Sequence, residues 1–311
     1  MDYCINEYRD WISSNAALTD AFSEGGLRNL TLCLFMGRNY RTIAEHNTKS
    51  RQALTHLWLS DITDSARAEF GTEWRKELLN DLASIQRKTA EQKYLQLWLN
   101  GLADKTRKNL DIKISDLPEF LNTIEQQLHT LLASINREDD IDRAWLLMMA
   151  GSATLSIRGS EKAKIGKKLE QVFLKSALRI IGLEENVNFW MNLDRDEIAD
   201  RETDAEVEIS RGRIRIEMGL IAEGNQEVTE DKINRVGENG VVIFDKVGTR
   251  SRIHETAARR RVKLIQIRHS NPLQELYNHL FPLTRVELIR PPETEEEITN
   301  TVSNLESTIF H

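Results

Sequence analysis

The chain has 311 residues, 40% of them apolar and 29% charged, with a net charge of −7 at neutral pH. These values exclude a disordered or collagen-like chain and leave room for one large domain or two smaller ones. Two cysteines, Cys4 and Cys33, make no disulfide framework, no Cys/His spacing suggests zinc, and no apolar run approaches the ~18 residues of a membrane span, so a soluble, cytoplasmic protein without a membrane partner is expected.

Residues 1 to about 148 read as almost wholly helical, with Pro118 as their single proline. Trp11, Leu18 and Phe22 are spaced for one helix face, and Leu54, Leu57, Trp58, Trp74, Leu78, Leu79, Leu82 and Ile85 supply others. Tyr94, Leu95, Trp98 and Leu99 continue the pattern to a stop at Gly101, and Leu117-Pro118-Glu119 opens the next helix. No repeat and no catalytic constellation is evident here; His46, His56 and His129 stand alone as surface or capping residues. The half reads as a helical scaffold suited to dimerisation or to embracing a duplex.

The charged run from Asn136 to Asp142 suggests a boundary, giving a helical domain over 1–140 and a second domain over 141–311. Ser160 is a candidate N-cap for a helix whose stripe is Ile165, Leu169, Val172, Phe173, Ala177, Ile180 and Ile181, with Gly182 as its stop. Glu170 edges that stripe. Further on, Ala205, Val207 and Ile209 alternate with Asp204, Glu206 and Glu208, and Ile214, Ile216 and Met218 alternate with Arg213, Arg215 and Glu217. Such alternation marks two half-buried strands. A turn at Arg211-Gly212 predicts Ser210 opposite Arg213, Glu206 opposite Glu217 and Asp204 opposite Gly219, which makes Asp204 and Glu217 diagonal neighbours on one face.

A helix over Gln226 to Val236, a buried strand at Val241 to Phe244, a further helix and a strand over Lys263 to Ile267 complete an α/β pattern. The tail Pro291 to Glu297 is acidic and reads as exposed, with a short final helix after it. Charge is unevenly spread. Lys and Arg outnumber acids by seven to two over Gly151–Gly182 and by seven to one over Arg250–Arg268, whereas acids lead by 17 to 7 over Glu184–Asp245. An acidic centre between two basic arms suits a site that binds cations and also holds a polyanion, although solvated faces of ordinary elements give the same counts.

Two carboxylates on neighbouring strands can hold a hard divalent cation through oxygen, leaving positions for water and a phosphate oxygen. A nearby lysine offsets negative charge on a reacting phosphate. Asp204, Glu217 and Lys232 with the basic arms form that set, and an alternating solvated face is the competing reading.

The linked motifs TLSIRGSEKAKIGKKLEQVFLKSALRIIG, FW at Phe189-Trp190, ETDAEV, IEMGLIAEGNQEVTEDKINR and IFDKVGTRSRIHETAARR resemble, in order and spacing, the CfrBI family of type II restriction endonucleases. The resemblance covers about residues 150–268 and implies a PD-(D/E)XK restriction-endonuclease-like core, a mixed sheet flanked by helices, behind an all-α N-terminal domain. It implies a Mg2+-dependent, sequence-specific endodeoxyribonuclease that cuts both strands of double-stranded DNA at a short palindrome. Two-fold symmetry of the site implies a homodimer, and the host is expected to carry a matching DNA methyltransferase.

Asp204 and Glu217 would be the metal-binding acids of such a site. The usual lysine falls at Gly219, so Lys232 is its substitute; a solvated helix lysine is the alternative. Glu170 matches a helix acid that binds a second metal or a metal-bound water, against a rim pair with Lys167. Arg158, Lys162, Lys164, Lys167, Lys168, Arg250, Arg252, Arg259, Arg260 and Arg261 are candidates for phosphate or base contacts. Ser156, Ser160 and Asn225 read as caps and turn residues. A repair or junction-resolving nuclease of the same superfamily, or a DNA-binding protein without activity, remain the competitors.

Overall fold

A computed structural model of the protein describes residues 23–191, 204–220, 226–246, 248 and 251–311, without the side chains at 46–47, 159–164 and 226–229. The expected face of Trp11, Leu18 and Phe22 lies outside these residues. In chain order the helices and strands are α1 (Glu24–Phe35), α2 (Arg41–Phe70), α3 (Trp74–Ser84), α4 (Ala90–Trp98), α5 (Asp104–Asn109), α6 (Leu117–Ser134), α7 (Ile141–Ile180), β1 (Phe189–Met191), β2 (Ala205–Ile209), β3 (Gly212–Gly219), α8 (Gln226–Val236), β4 (Val241–Phe244), α9 (Ile253–Arg260), β5 (Lys263–Gln266), α10 (Pro272–Leu280) and α11 (Glu295–Ser303).

Two compact units form, Met1–Asp20 with Glu45–Ala163 and Ala21–Ala44 with Lys164–His311. The division differs from the expected 1–140 and 141–311, and packing explains why. Leu27, Leu30, Leu34 and Phe35 of α1 are buried in the core of the sheet-bearing unit. Trp145, Met149 and Ala153 of α7 are buried in the helical core. Charge runs marked a plausible seam, but burial of apolar faces decides where a core ends.

The first unit is helical, as expected. Its core gathers Trp58, Leu59, Ile62, Trp74, Leu78, Leu82, Leu95, Trp98, Leu121 and Trp145. Arg75 is buried there, bonded to Glu125 at 2.6 Å and Asp142 at 2.6 Å, with its guanidinium over the Trp74 and Trp145 rings. Pairing and stacking offset the cost of removing that charge from water. His56 bonds the Ala150 carbonyl and Thr154 Oγ1 rather than standing alone. Ser156 is not a cap; its hydroxyl accepts from Trp98 Nε1 at 2.9 Å and donates to the Ser152 carbonyl.

Ser160 is not a cap either, because α7 runs unbroken from Ile141 to Ile180. Glycine in a helix interior costs only about 1 kcal/mol. The buried stripes at Ala153 on one side of Gly159 and Ile165 and Leu169 on the other outweigh that local preference for a break. The helix ends before Gly182, whose φ of 89° gives the expected stop.

In the second unit a five-stranded mixed sheet has the order β1-β2-β3-β4-β5. β1, β2 and β3 pair antiparallel, and β3, β4 and β5 pair parallel. One face packs Val207, Ile214, Ile216, Met218, Val241, Ile243 and Ile265 against α1, the later part of α7, α10 and α11. The other packs Val242 and Phe244 against Ile233 and Val236 of α8 and Ile253 and Ala257 of α9. All of β4 is buried, as its continuous apolar run predicts for a strand covered on both faces. The helix α10 went unread in the sequence. The acidic tail is not wholly exposed. Thr294 and Glu297 form a capping box at the start of α11, whose Ile298 and Val302 join the core.

The hairpin register corrects the expected one. Ile209 pairs with Gly212, Glu208 with Arg213, Glu206 with Arg215 and Ala205 with Ile216. The connection is therefore Ser210-Arg211, shifted by one residue along the chain. Gly212 has φ 106°, while Ser210 and Arg211 are not left-handed. Gly212 closes the two-residue connection as the first paired residue of β3, in a conformation that glycine adopts without strain. A two-residue shift keeps every side chain on its expected face, since the strand period is two. Extended by one residue, the register sets Asp204 directly across from Glu217 instead of diagonally.

Candidate active site

The carboxyl end of β3 gathers the charged groups. Glu217 lies on the sheet face covered by α8 and is 1% exposed. Ile233 and Val236 seat α8 on the sheet, so Lys232 and Arg235, three residues apart, project along the edge of that contact. Lys232 Nζ donates to Glu217 Oε2 at 2.7 Å and to the Met218 carbonyl at 2.7 Å, and lies 3.7 Å from Asp204 Oδ2. Its side chain is only 13% exposed, so it is not a solvated helix lysine. Arg235 reaches the other Glu217 oxygen at 3.3 Å and holds Asp231 at 2.7 Å. Asp204 Oδ2 accepts the Met218 N–H at 2.7 Å, which fixes its carboxylate beside the strand.

Glu170 arrives from α7 on the opposite side of the sheet. Its Oε1 accepts the Leu220 N–H at 2.8 Å, so the carboxylate is turned toward the strand end rather than toward Lys167. Burial pushes the Glu170 carboxyl up to about 7, and the negative charges of Asp204 and Glu217 add to the effect while Leu220 and Lys232 oppose it. Glu217 is likewise raised above the usual carboxylate range by burial, with Lys232 opposing. Glu170, Asp204, Glu217 and Lys232 therefore form one electrostatic group, contributed by α7, the start of β2, β3 and α8.

Raised pKa values carry a stability consequence. Glu170 is favoured protonated in the folded protein, so its contribution is fully present below about pH 4.5 and is lost as pH rises through about 7. In the presence of chelator, Glu170→Gln is expected to melt above the parent at pH 8.5 by an amount on the order of 2 kcal/mol, the gap closing toward pH 4.5. Thermal melting at both pH values checks this; a gap of the same size at the two ends counts against it.

Among the described residues no three His, Cys, Asp or Glu side chains form a ready cation cage. The donor chemistry nonetheless fits a hard divalent ion. Two carboxylates on adjacent strands and one main-chain carbonyl already converge on a cation, the Lys232 ammonium. Mg2+ characteristically takes one or two carboxylates, with water and substrate phosphate filling its other positions.

The basic residues are spread more loosely. Arg158, Lys167, Arg252, Arg259, Arg260 and Arg261 are exposed. Lys168 donates to the main-chain oxygen of His311, and Arg261 pairs with Glu238 at 2.7 Å. The side chains of Lys162 and Lys164, and Arg250 and Asn225, lie outside the described residues. Sequence reasoning missed Arg235, Tyr40, Arg41 and Asp245. Spacing of three from Lys232 points to Arg235, and an acid just after a buried parallel strand, where such sheets bind ligands, points to Asp245. Nothing local marks Tyr40 or Arg41.

A mixed, helix-flanked sheet thus carries two carboxylates and an ammonium together at the carboxyl end of a central strand. The chain belongs to the CfrBI restriction endonuclease family, whose model matches residues 24–252. It is 27% identical over 277 residues to the type II restriction enzyme CfrBI of Citrobacter freundii, covering 78% of this chain and 77% of that protein. No solved structure matches it. No described helix is long and apolar enough to cross a membrane.

Proposed function

We propose that this type II restriction endonuclease uses a PD-(D/E)XK-type core in its second unit to hydrolyse phosphodiesters in both strands of duplex DNA at a short palindromic site. The observation that carries the reading is the meeting of Asp204, Glu217 and Lys232 at the carboxyl end of β3. Asp204 and Glu217 would hold Mg2+, which when bound supplies stabilisation of negative charge on the reacting phosphate. Glu170 stands on the other side of the strand end, where it holds the Leu220 peptide and orients a water or a second cation.

Lys232 opposes the burial that raises Glu217, and would offer its ammonium to the phosphate or the attacking water. This side chain takes the part of the lysine that Gly219 cannot provide. Arg235 holds the second oxygen of Glu217 and fixes its rotamer. Arg252 and Arg259 of the α9 region, Lys167 and Lys168 of α7, and Arg158, Lys162, Lys164 and Arg250 supply phosphate contacts that seat the duplex. A palindromic site calls for a homodimer, acting in the cytoplasm beside a methyltransferase of matching specificity.

The test is cleavage of unmethylated plasmid by purified protein with Mg2+ or with chelator. Discrete fragments with Mg2+ and none with chelator support the proposal. Fragments that persist in chelator count against the cation, and cutting confined to branched or damaged substrates counts against a sequence-specific role.

A further inference from the structure

After Glu217, the described charged residue buried most deeply is Asp245, 2% exposed and one residue beyond β4. The pairing of Gly219 with Phe244 places it beside Leu220, whose N–H is held by Glu170. Two arginines meet it. Arg268 Nε bonds Asp245 Oδ1 at 3.0 Å and Arg41 Nη2 lies 2.9 Å from Oδ2. Arg268 is also tied to Asn39 Oδ1 at 2.6 Å.

One carboxylate needs one cation for neutrality. Here two guanidiniums share it, and the cluster keeps a surplus positive charge next to the three acids of the active site. Arg41 is the more accessible of the two arginines: its side chain is 39% exposed against 20% for Arg268. It also points at the site. Arg41 Nη2 and the Tyr40 hydroxyl lie 3.5 and 3.4 Å from the Leu220 carbonyl, so a single residue, Leu220, separates this guanidinium from Glu170. Arg41 is the first residue of α2, and the helix N-terminus adds partial positive charge there.

The approach of this segment is built in. Gly37 has φ 63°, and a Cβ there would stand 2.9 Å from the carbonyls of Ile267 and Ser270. Only glycine lets the chain before Tyr40 lie against the end of β5.

We propose that Arg41, pinned by Asp245, is a further phosphate-binding residue of this active site, taking a phosphate of the cut strand beside the scissile one, with Asp245 as its positioning residue. The proposal rests on the nuclease reading given above. A guanidinium locked by a buried carboxylate loses little freedom on binding; with Nη2 on Asp245 and Nε buried, Nη1 is the donor left for a phosphate oxygen.

The experiment uses full-length protein and a duplex carrying one cleavage site mapped with the parent enzyme. Affinity is measured in chelator across a series of salt concentrations. Each phosphate contact contributes about 0.9 to the slope of log affinity against log salt, so Arg41→Gln is expected to flatten that slope by about one for each Arg41 engaged. Affinity is expected to fall about tenfold or more at low salt, with a melting temperature near the parent's because Arg268 still neutralises Asp245. Asp245→Asn, which keeps the Arg41 charge, is expected to raise KM with the parental slope. If the glutamine variant does not fold, Arg41→Lys replaces it; loss of the guanidinium held by Asp245 is expected to weaken binding at unchanged slope. Parental affinity and slope in Arg41→Gln, or parental affinity in Arg41→Lys, overturn the proposal. A parent that cuts no DNA overturns the nuclease reading instead, so the two failures are distinct.

Discussion

Glu217→Gln is expected to lower plasmid cleavage by at least about a thousandfold, and Asp204→Asn to do nearly as much, since a bound cation offers several kcal/mol to the transition state and each 1.36 kcal/mol is tenfold in rate. Both substitutions keep shape. Asparagine retains an oxygen for the Met218 N–H, and glutamine retains one for Lys232. What disappears is the charge that holds the cation. The check is initial cleavage rate against Mg2+ concentration, with DNA binding in chelator as the control for folding. Binding is expected to stay at the parental level or to tighten, because a negative charge has been removed from a surface that meets phosphate. Cleavage within about tenfold of the parent in either variant would remove that carboxylate from the proposed cation site.

Lys232→Ala is expected to lower kcat by about a hundredfold to a thousandfold with a small change in KM, the scale found when one preorganised donor is taken from a charge-stabilising site. The geometry sharpens this. Lys232 contacts both carboxylates and the Met218 carbonyl, and Glu217 has almost no solvent to fall back on. Removing the ammonium leaves Glu217 with Arg235 at 3.3 Å, so a loss of a few kcal/mol in stability is expected alongside the kinetic loss. That loss shrinks as pH falls far enough to protonate Glu217, which separates it from a packing defect. Lys232→Arg keeps charge but not the compact ammonium, and is expected to restore stability more than rate. A Lys232→Ala enzyme that cuts at the parental rate would show that its two bonds hold α8 in place and nothing more.

Whether Glu170 acts in the same step is legible from pH as well. Its carboxyl, raised to about 7 by burial, relaxes once a cation or an opposing charge arrives. The destabilisation expected in chelator above pH 7 is therefore expected to diminish on addition of Mg2+ to the parent, and to be missing from Glu170→Gln with or without it.

Much of the second unit was readable in the residues. Alternation of Ala205, Val207 and Ile209 with acids could only be a strand with one face buried, and the run Val241 to Phe244 could only be a strand buried on both. The stripe from Ile165 to Ile181 read as a buried helix face because each of those residues falls within one turn of the next. Choice of face survived even where register did not: Asp204 and Glu217 share a face under either pairing, because a shift of two preserves parity. The turn was misplaced because Arg211-Gly212 looks like a two-residue loop, and only the pairing of Ile209 with Gly212 puts the turn at Ser210-Arg211.

By itself the sequence determined the common face of Asp204 and Glu217 and the helix that follows them, since these follow from period-two and 3.6-residue spacing along a short stretch, while the lysine expected at Gly219 came from the family resemblance alone. Tertiary structure alone decided that Lys232 turns back to Glu217, that Glu170 crosses from the far side of the sheet to hold Leu220, and that Arg41 reaches Asp245 across more than half the chain. The physical reason is one of range. Spacing fixes which way a side chain points from its own element, but which charges meet is set by the packing of apolar faces, and the residues that drive that packing lie far from those that meet.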